Sequence, residues 1–185
     1  MSKCEVLYKD DQLNSVLASK KPDKPFTFPM YFAALTVDGY PLATSGYSTC
    51  MGLLVHDLAD DSKKGALGHL PGFGSSASQQ AEALKFLTSV IGAMLGGLGL
   101  KNDAPVQIVM LEGKVGYSQL GLPDEIKETY TKADVLDLRR ANQGDCALYL
   151  PASAVVVEYT NSELLKKYGT VDKSERVKTL DLRKI

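Results

Sequence analysis

The sequence predicts an α+β domain, with mostly antiparallel β-strands forming a sheet or sandwich core and helices packed outside. Three observations carry this expectation. Short apolar runs recur along the chain, each bounded by Gly, Pro, Asn or Asp, as buried strands are. Only one long stretch places its apolar residues at the three- and four-residue steps of an amphipathic helix. Strand-like runs mostly follow one another directly, which disfavours a doubly wound parallel sheet.

The elements are read in order. Residues 19–29 (SKKPDKPFTFP) are rich in Pro and Lys and read as loop, so residues 1–28 are expected to be an N-terminal extension. Residues 30–37 (MYFAALTV) read as a strand stopped by Asp38-Gly39, and residues 40–44 continue extended. Residues 51–58 (MGLLVHDL) and 65–70 (GALGHL) read as buried strands joined by a polar loop, the second stopped by Pro71-Gly72. The long helix starts after Gly74, with Ser75, Ser76 and Ser78 as candidate N-caps and Glu82 in its first turns. Ala81, Leu84, Leu87, Ile91 and Leu95 mark its core face, and Gly96-Gly97 end it. The run GGLGL follows a helix and not a strand, so it reads as a C-cap and not as a nucleotide loop.

Further along, residues 106–111 (VQIVML) read as a strand, followed by the Gly-rich loop EGKVGYSQLGLP and a short helix at 125–132. Residues 133–139 and 146–150 read as strands around an NQGD turn, and 154–159 (AVVVEY) as a further buried strand. A short helix at 162–168 is capped by Asn161 or Ser162 and ended by Gly169, with a final strand at 179–182. The expected organisation is one domain over residues 1–185, with a core at 30–160 and a C-terminal helix and tail at 161–185.

Composition excludes several classes. The chain has 185 residues and a formal net charge of -1, which gives no electrostatic case for nucleic acid or an anionic membrane. No apolar stretch is long enough to span a bilayer. The first residues, MSKCEVLYKDD, are too polar for a Sec-type signal, so the expected setting is cytoplasmic, or secreted without such a signal. Three cysteines and two histidines show no CxxC or HExxH spacing, so neither a disulfide framework nor a metal or organic cofactor is expected.

The stretch TSGYSTCMGLLVHD, residues 44–57, is where chemistry concentrates. A nucleophilic cysteine needs a nearby imidazole to take its proton, an acceptor to orient that imidazole, and donors for the developing oxyanion. Cys50 ends a turn made flexible by Gly46 and begins an apolar strand, so it can face a cleft. The backbone N–H groups of Thr49, Cys50 and Met51 are the candidate oxyanion donors. If 51–58 and 65–70 pair as a hairpin, Cys50 and His69 meet at its far end. His56 is then about five strand rises of ~3.3 Å away, beyond hydrogen-bond reach, so His69 is the better base. The alternative reading is a buried structural Cys50 and a satisfied core His69. His56 and Asp57 read as a surface pair, Cys4 as a terminal thiol, and Cys146 as a thiol with no histidine near it in sequence.

Thr44-x-Gly46-x-x-x-Cys50, an apolar strand ending in Asp57, and Gly65-Ala66-x-Gly68-His69 leading to Leu70-Pro71 together resemble the CheD family of chemoreceptor glutamine deamidases. The helix that follows, and VQIVMLEGKVGYSQ after it, extend the resemblance over residues 40–119. The related toxins of the cytotoxic necrotizing factor type share a similar Cys-His core. Ser48-Thr49 stand where the family has Gly-Ser, and Gly116-Tyr117-Ser118 where it has paired glycines. The resemblance implies a CheD-like fold and hydrolysis of a glutamine side-chain amide. Cys50 would be the nucleophile, His69 the base and later acid, and Thr44 the residue that orients His69. It implies no cofactor and a partner that is a protein with an accessible glutamine, either a chemoreceptor or a host protein met by an exported effector. With an amine in place of water, the site would act as a transglutaminase. The loops at 113–123, with Gly116, Tyr117 and Ser118, and at 71–78 would line the substrate cleft. The rival classes are a non-catalytic binding module on the same fold and a cysteine peptidase or acyl hydrolase.

Overall fold

A computed structural model describes residues 2–47, 50–72, 76–112, 122–139 and 144–185. It is an α+β fold with two mixed sheets. One sheet has the order β1 (Glu5–Tyr8), β10 (Val155–Tyr159), β9 (Cys146–Leu150), β4 (Leu42–Ser45), β2 (Phe26–Thr27). The other has the order β11 (Lys178–Asp181), β3 (Phe32–Thr36), β6 (Gly65–Leu70), β5 (Met51–Asp57), β7 (Val106–Glu112), β8 (Asp134–Arg139). The pairings β1–β10, β2–β4 and β7–β8 are parallel, and the others are antiparallel.

Side-chain alternation along the central strands builds three apolar layers. Leu54, Leu67 and Val109 of the six-stranded sheet meet Leu42, Ala147, Tyr149 and Val156 of the five-stranded sheet. On the outer face of the six-stranded sheet, Met51, Leu53, Val55 and Met110 pack with helix α2 (Ala77–Gly97). On the outer face of the other sheet, Ala43, Leu148 and Val157 pack with α1 (Asp10–Lys20) and α4 (Ser162–Tyr168). The result is helix, sheet, sheet, helix, and both faces of each sheet are covered. Strands buried on both faces read as continuous apolar runs, which is why MGLLVHD shows no polar alternation.

Helix α2 is started by Ser76, whose hydroxyl accepts from Gln79 N–H while the Gln79 side chain accepts from Ser76 N–H, a capping box. Its buried face is Ala83, Leu87, Val90, Ile91, Met94 and Leu95. Each of the large residues contributes about 1.5–3 kcal/mol of gross burial. Ala81, expected on that face, is exposed, and Leu84 only half-buried, because the helix turns a slightly rotated stripe to the sheet. Helix α3 (Leu122–Thr129) lies earlier than the 125–132 expected. No described helix is long and apolar enough to cross a membrane.

Two segments expected to be appendages are structural. Residues 1–28 supply β1, α1 and β2, and so complete the five-stranded sheet. The C-terminal stretch supplies α4 and the edge strand β11, which pairs with β3. The core therefore draws on residues well outside 30–160.

Candidate active site

The chain leaves one sheet at the end of β4 and enters the other at the start of β5. Gly46, at φ 80, takes a left-handed turn open to glycine at no cost. Tyr47 is then fully buried. Its N–H donates to the Asp145 carbonyl at 3.0 Å, and its hydroxyl donates to Glu158 at 2.5 Å and lies 3.1 Å from the Cys146 carbonyl. Burial, followed by the adjacent Glu158 carboxylate, holds the Tyr47 phenol well above its ordinary range, so it stays a donor. Cys50 N–H donates to Tyr47 C=O at 3.0 Å.

His69 lies on β6 directly opposite Gly52 of β5. Cys50 stands just before β5, two residues ahead of Gly52, and packs with Tyr47, Leu54 and Leu67 in the layer between the sheets, the layer into which His69 reaches to meet Thr44. Gly52 has no side chain to stand between Cys50 and His69. A Cβ there would come within 3.2 Å of Leu111 and 3.7 Å of the Tyr47 ring. The Tyr47 ring meets the His69 ring edge-on, with centroids 6.2 Å apart.

Thr44 reaches His69 from the facing sheet. Its Oγ1 is 2.9 Å from His69 Nδ1, so the contact crosses the sandwich. The Thr44 hydroxyl has one proton, and it donates that proton to the Phe28 carbonyl at 3.0 Å. Oγ1 is therefore an acceptor toward the ring, and Nδ1 must carry the imidazole proton. Nε2 is left as the nitrogen with the lone pair. It is buried and has no hydrogen-bond partner among the described residues. An unpaired buried acceptor costs about 1–3 kcal/mol, and such a cost in a native fold calls for a functional reason.

His69 is 2% exposed, and burial pushes its pKa down to about 4. The ring is therefore neutral at neutral pH and available as a base. Cys50 is only 8% exposed, less open than a cleft-facing residue would be. Its thiol donates to the Met30 sulfur at 3.3 Å. Cys4 and Cys146 are also buried, and burial pushes both thiols up to about 12. None of the three cysteines is in a disulfide.

Of the three expected oxyanion donors, the Cys50 N–H is already committed to Tyr47 C=O. Met51 is a ladder residue paired with Leu70 and Glu112. Thr49 lies outside the described residues, as do Gly116, Tyr117 and Ser118. His56 and Asp57 correct their expected surface pairing, since both are buried. His56 Nε2–H donates to the Ser2 carbonyl at 3.0 Å, which leaves Nδ1 to accept from the Tyr149 hydroxyl at 2.7 Å. A cleft of about 560 Å³ opens beside it, lined also by Asp57, Asp60 and Asp61. With both nitrogens engaged, His56 has no lone pair to offer a substrate, and this cleft is at the opposite end of β5 from Cys50.

Met30, the Phe28 carbonyl and Tyr47 were not singled out in the sequence. Tyr47 lies inside the TSGYSTC stretch, which is a signal of place only. Met30 opens a run read as strand, and nothing local marks it.

Both histidines make stability depend on pH. Unfolded, they titrate near 6.5, whereas in the fold burial lowers His69 to about 4 and lowers His56 as well. Between those values the unfolded chain binds more protons, so stability falls as pH drops from about 6.5 towards 4. His69 contributes at most about 3 kcal/mol to this loss. Urea unfolding midpoints across that range should fall with acidity, and less steeply in His69→Gln. An equally steep fall in that variant contradicts the assignment.

Comparison of the chain with protein-family models and with curated proteins returns no match.

Proposed function

We propose that the chain is a CheD-like protein-glutamine deamidase, with Cys50 as nucleophile, His69 as base and acid, and Thr44 as the residue that positions His69. The observation that carries this reading is the tautomer. Thr44 passes its own proton to Phe28 C=O and so compels Nδ1 of His69 to be the protonated nitrogen. Nε2 is then the nitrogen left with a lone pair, without a partner among the described residues, in the layer between the sheets where Cys50 also lies. A merely structural histidine at 2% exposure would be expected to satisfy both nitrogens, as His56 does.

The chemistry follows from these groups. Nε2 takes the Cys50 proton, and the sulfur attacks the carboxamide carbon of a glutamine. Nε2–H returns the proton to the departing nitrogen, and ammonia leaves a thioester. A water deprotonated by Nε2 then splits the thioester, giving glutamate and restoring the thiol. A neutral imidazole suits this route, because it accepts the thiol proton as attack begins and needs no standing ion pair in a buried site. The substrate is a protein with an accessible glutamine, on a chemoreceptor or on a host protein.

The test exposes candidate protein substrates to the wild type and to Cys50→Ser and compares them by mass spectrometry. The expected result is conversion of a glutamine to glutamate with release of ammonia, absent with Cys50→Ser. Backbone cleavage in place of amide loss would assign a peptidase. Binding of a partner with no Cys50-dependent change would assign a binding module.

A further inference from the structure

We propose that Met30 is a built-in substrate mimic: its thioether occupies the place that the carboxamide of a substrate glutamine takes on Cys50, so the resting chain keeps its own site shut. This rests on the deamidase reading and adds what fills the site and what must replace it.

The segment from Phe28 to Tyr31 touches every member of the trio. The Phe28 carbonyl accepts the Thr44 proton, the Met30 sulfur accepts from the Cys50 thiol, and Tyr31 N–H donates to the His69 carbonyl at 2.9 Å. Its exit is pinned as well, because Leu182 N–H donates to the Tyr31 carbonyl at 2.7 Å. Tyr31 holds φ at 71, a conformation uncommon for a residue with a Cβ. Such backbone persists where its surroundings over-determine it, and it is concentrated at sites. Here it turns the chain so that the Met30 side chain lies on Cys50.

The match to glutamine is atomic. Methionine and glutamine both run Cβ, Cγ and then a third atom, which is sulfur in one and the carboxamide carbon in the other. That carbon is the atom a thiolate attacks. The Met30 sulfur is 3.3 Å from Cys50 Sγ, inside the ~3–3.5 Å range of reacting atoms poised for attack. The thiol donates to a thioether, and among the described residues none donates to His69 Nε2. Met30 is nevertheless 38% exposed, so its unbranched side chain can swing to solvent about its own bonds. The substrate this geometry selects is a glutamine on an exposed turn, entering where Met30 leaves. Asparagine, one methylene shorter, does not reach.

The test uses the full chain and needs no outside substrate. Iodoacetamide reports on Cys50, with the buried Cys4 and Cys146 as internal standards. Met30→Ala should raise the rate of Cys50 modification about tenfold or more, as expected when a closed state dominates, and leave the other two thiols unchanged. Equal Cys50 rates in wild type and Met30→Ala overturn the proposal. Met30→Gln, nearly the same shape and so safe for folding, places a carboxamide on the sulfur. The bond from Cys50 Sγ to the amide carbon then forms and the carbon–nitrogen bond breaks. Ammonia leaves with the thiol proton passed through His69, and water releases an acid at position 30. Peptide mass spectrometry should show that amide-to-acid conversion in Met30→Gln, none when Cys50→Ser is added, and none in Met30→Asn. An intact amide in Met30→Gln, alongside an outside glutamine that the wild type converts, overturns the mimicry alone. Conversion of no glutamine, inside or outside, overturns the deamidase reading and the mimicry with it.

Discussion

On the proposed deamidase reading, replacing Thr44 with valine should lower turnover about 10²–10⁴-fold, the span that a positioned general base supplies. The shape is kept, but Nδ1–H of His69 loses its acceptor and the Phe28 carbonyl loses its donor. Nothing then fixes the proton on Nδ1, and a ring protonated on Nε2 cannot accept from Cys50. Thr44→Ser keeps the hydroxyl and should retain most activity, which separates positioning from packing. A second readout needs no substrate. The chain has only two histidines, and the hydrogen bonds assign them opposite tautomers, Nδ1–H for His69 and Nε2–H for His56. Nitrogen chemical shifts of the two rings should show one of each in the wild type. Thr44→Val should shift only His69. Finding His69 protonated on Nε2 in the wild type ends the argument that makes it a base.

Gly65→Ala should be the most damaging small substitution in the core, costing about 3 kcal/mol or more in urea unfolding. A Cβ at Gly65 would fall 2.1 Å from the Tyr149 hydroxyl and within 2.7 Å of two ring carbons. Tyr149 is fully buried and its hydroxyl is engaged with His56, so it cannot step aside cheaply. The same clash has a functional consequence. Tyr149 and Thr44 belong to one sheet, Gly65 and His69 to the other, so prying the layers apart at one end of β6 stretches the Thr44–His69 contact at its other end. Gly96→Ala is the control: nothing lies within 4 Å of a Cβ there, and replacing a helical glycine should be neutral or stabilising by up to about 1 kcal/mol. Equal stabilities for Gly65→Ala and the wild type would contradict the close approach of the two sheets.

The two histidines show why the sheets approach so closely. His69 is paired with Gly52 and His56 with Gly65, so each ring on the β5–β6 hairpin faces a residue without a side chain. Tyr47 and Tyr149 come down on those two glycines. Each histidine then reaches a hydroxyl of the opposite sheet, Thr44 or Tyr149. Among the described residues one ring is satisfied on both nitrogens and the other on one, and that difference is the candidate chemistry.

Much of this was legible in order along the chain. The strand GALGHL falls where its glycines and Pro71 bound it, and the hairpin with MGLLVHD brings Cys50 and His69 to one end as its register dictates. Ser76 starts the long helix as cap chemistry requires, whereas Gly96 and Gly97 are its last helical residues and the left-handed turn past its end falls on Gly99, at φ 68. The N-terminal elements were missed for a physical reason. Strand β1 spans four residues and β2 two, and both are held by parallel partners distant in sequence, β10 and β4. Helix α1 had a faint signal in Leu13, Val16 and Leu17 after Asp10 and Asp11, but one turn of apolar spacing is weak without a surface to cover.

Local sequence determined the central strands, where they turn, and that a thiol and an imidazole stand at one end of a hairpin, because alternation and turn chemistry act over a few residues. Tertiary structure alone decided that His69 is protonated on Nδ1, that Cys50 lies under Met30, and that His56 is fully engaged. Those facts come from contacts between opposite sheets and from a strap whose residues lie some 15–25 positions away from Thr44 and Cys50 in sequence. No pattern confined to one segment can encode a hydrogen bond that exists only when two sheets close on each other.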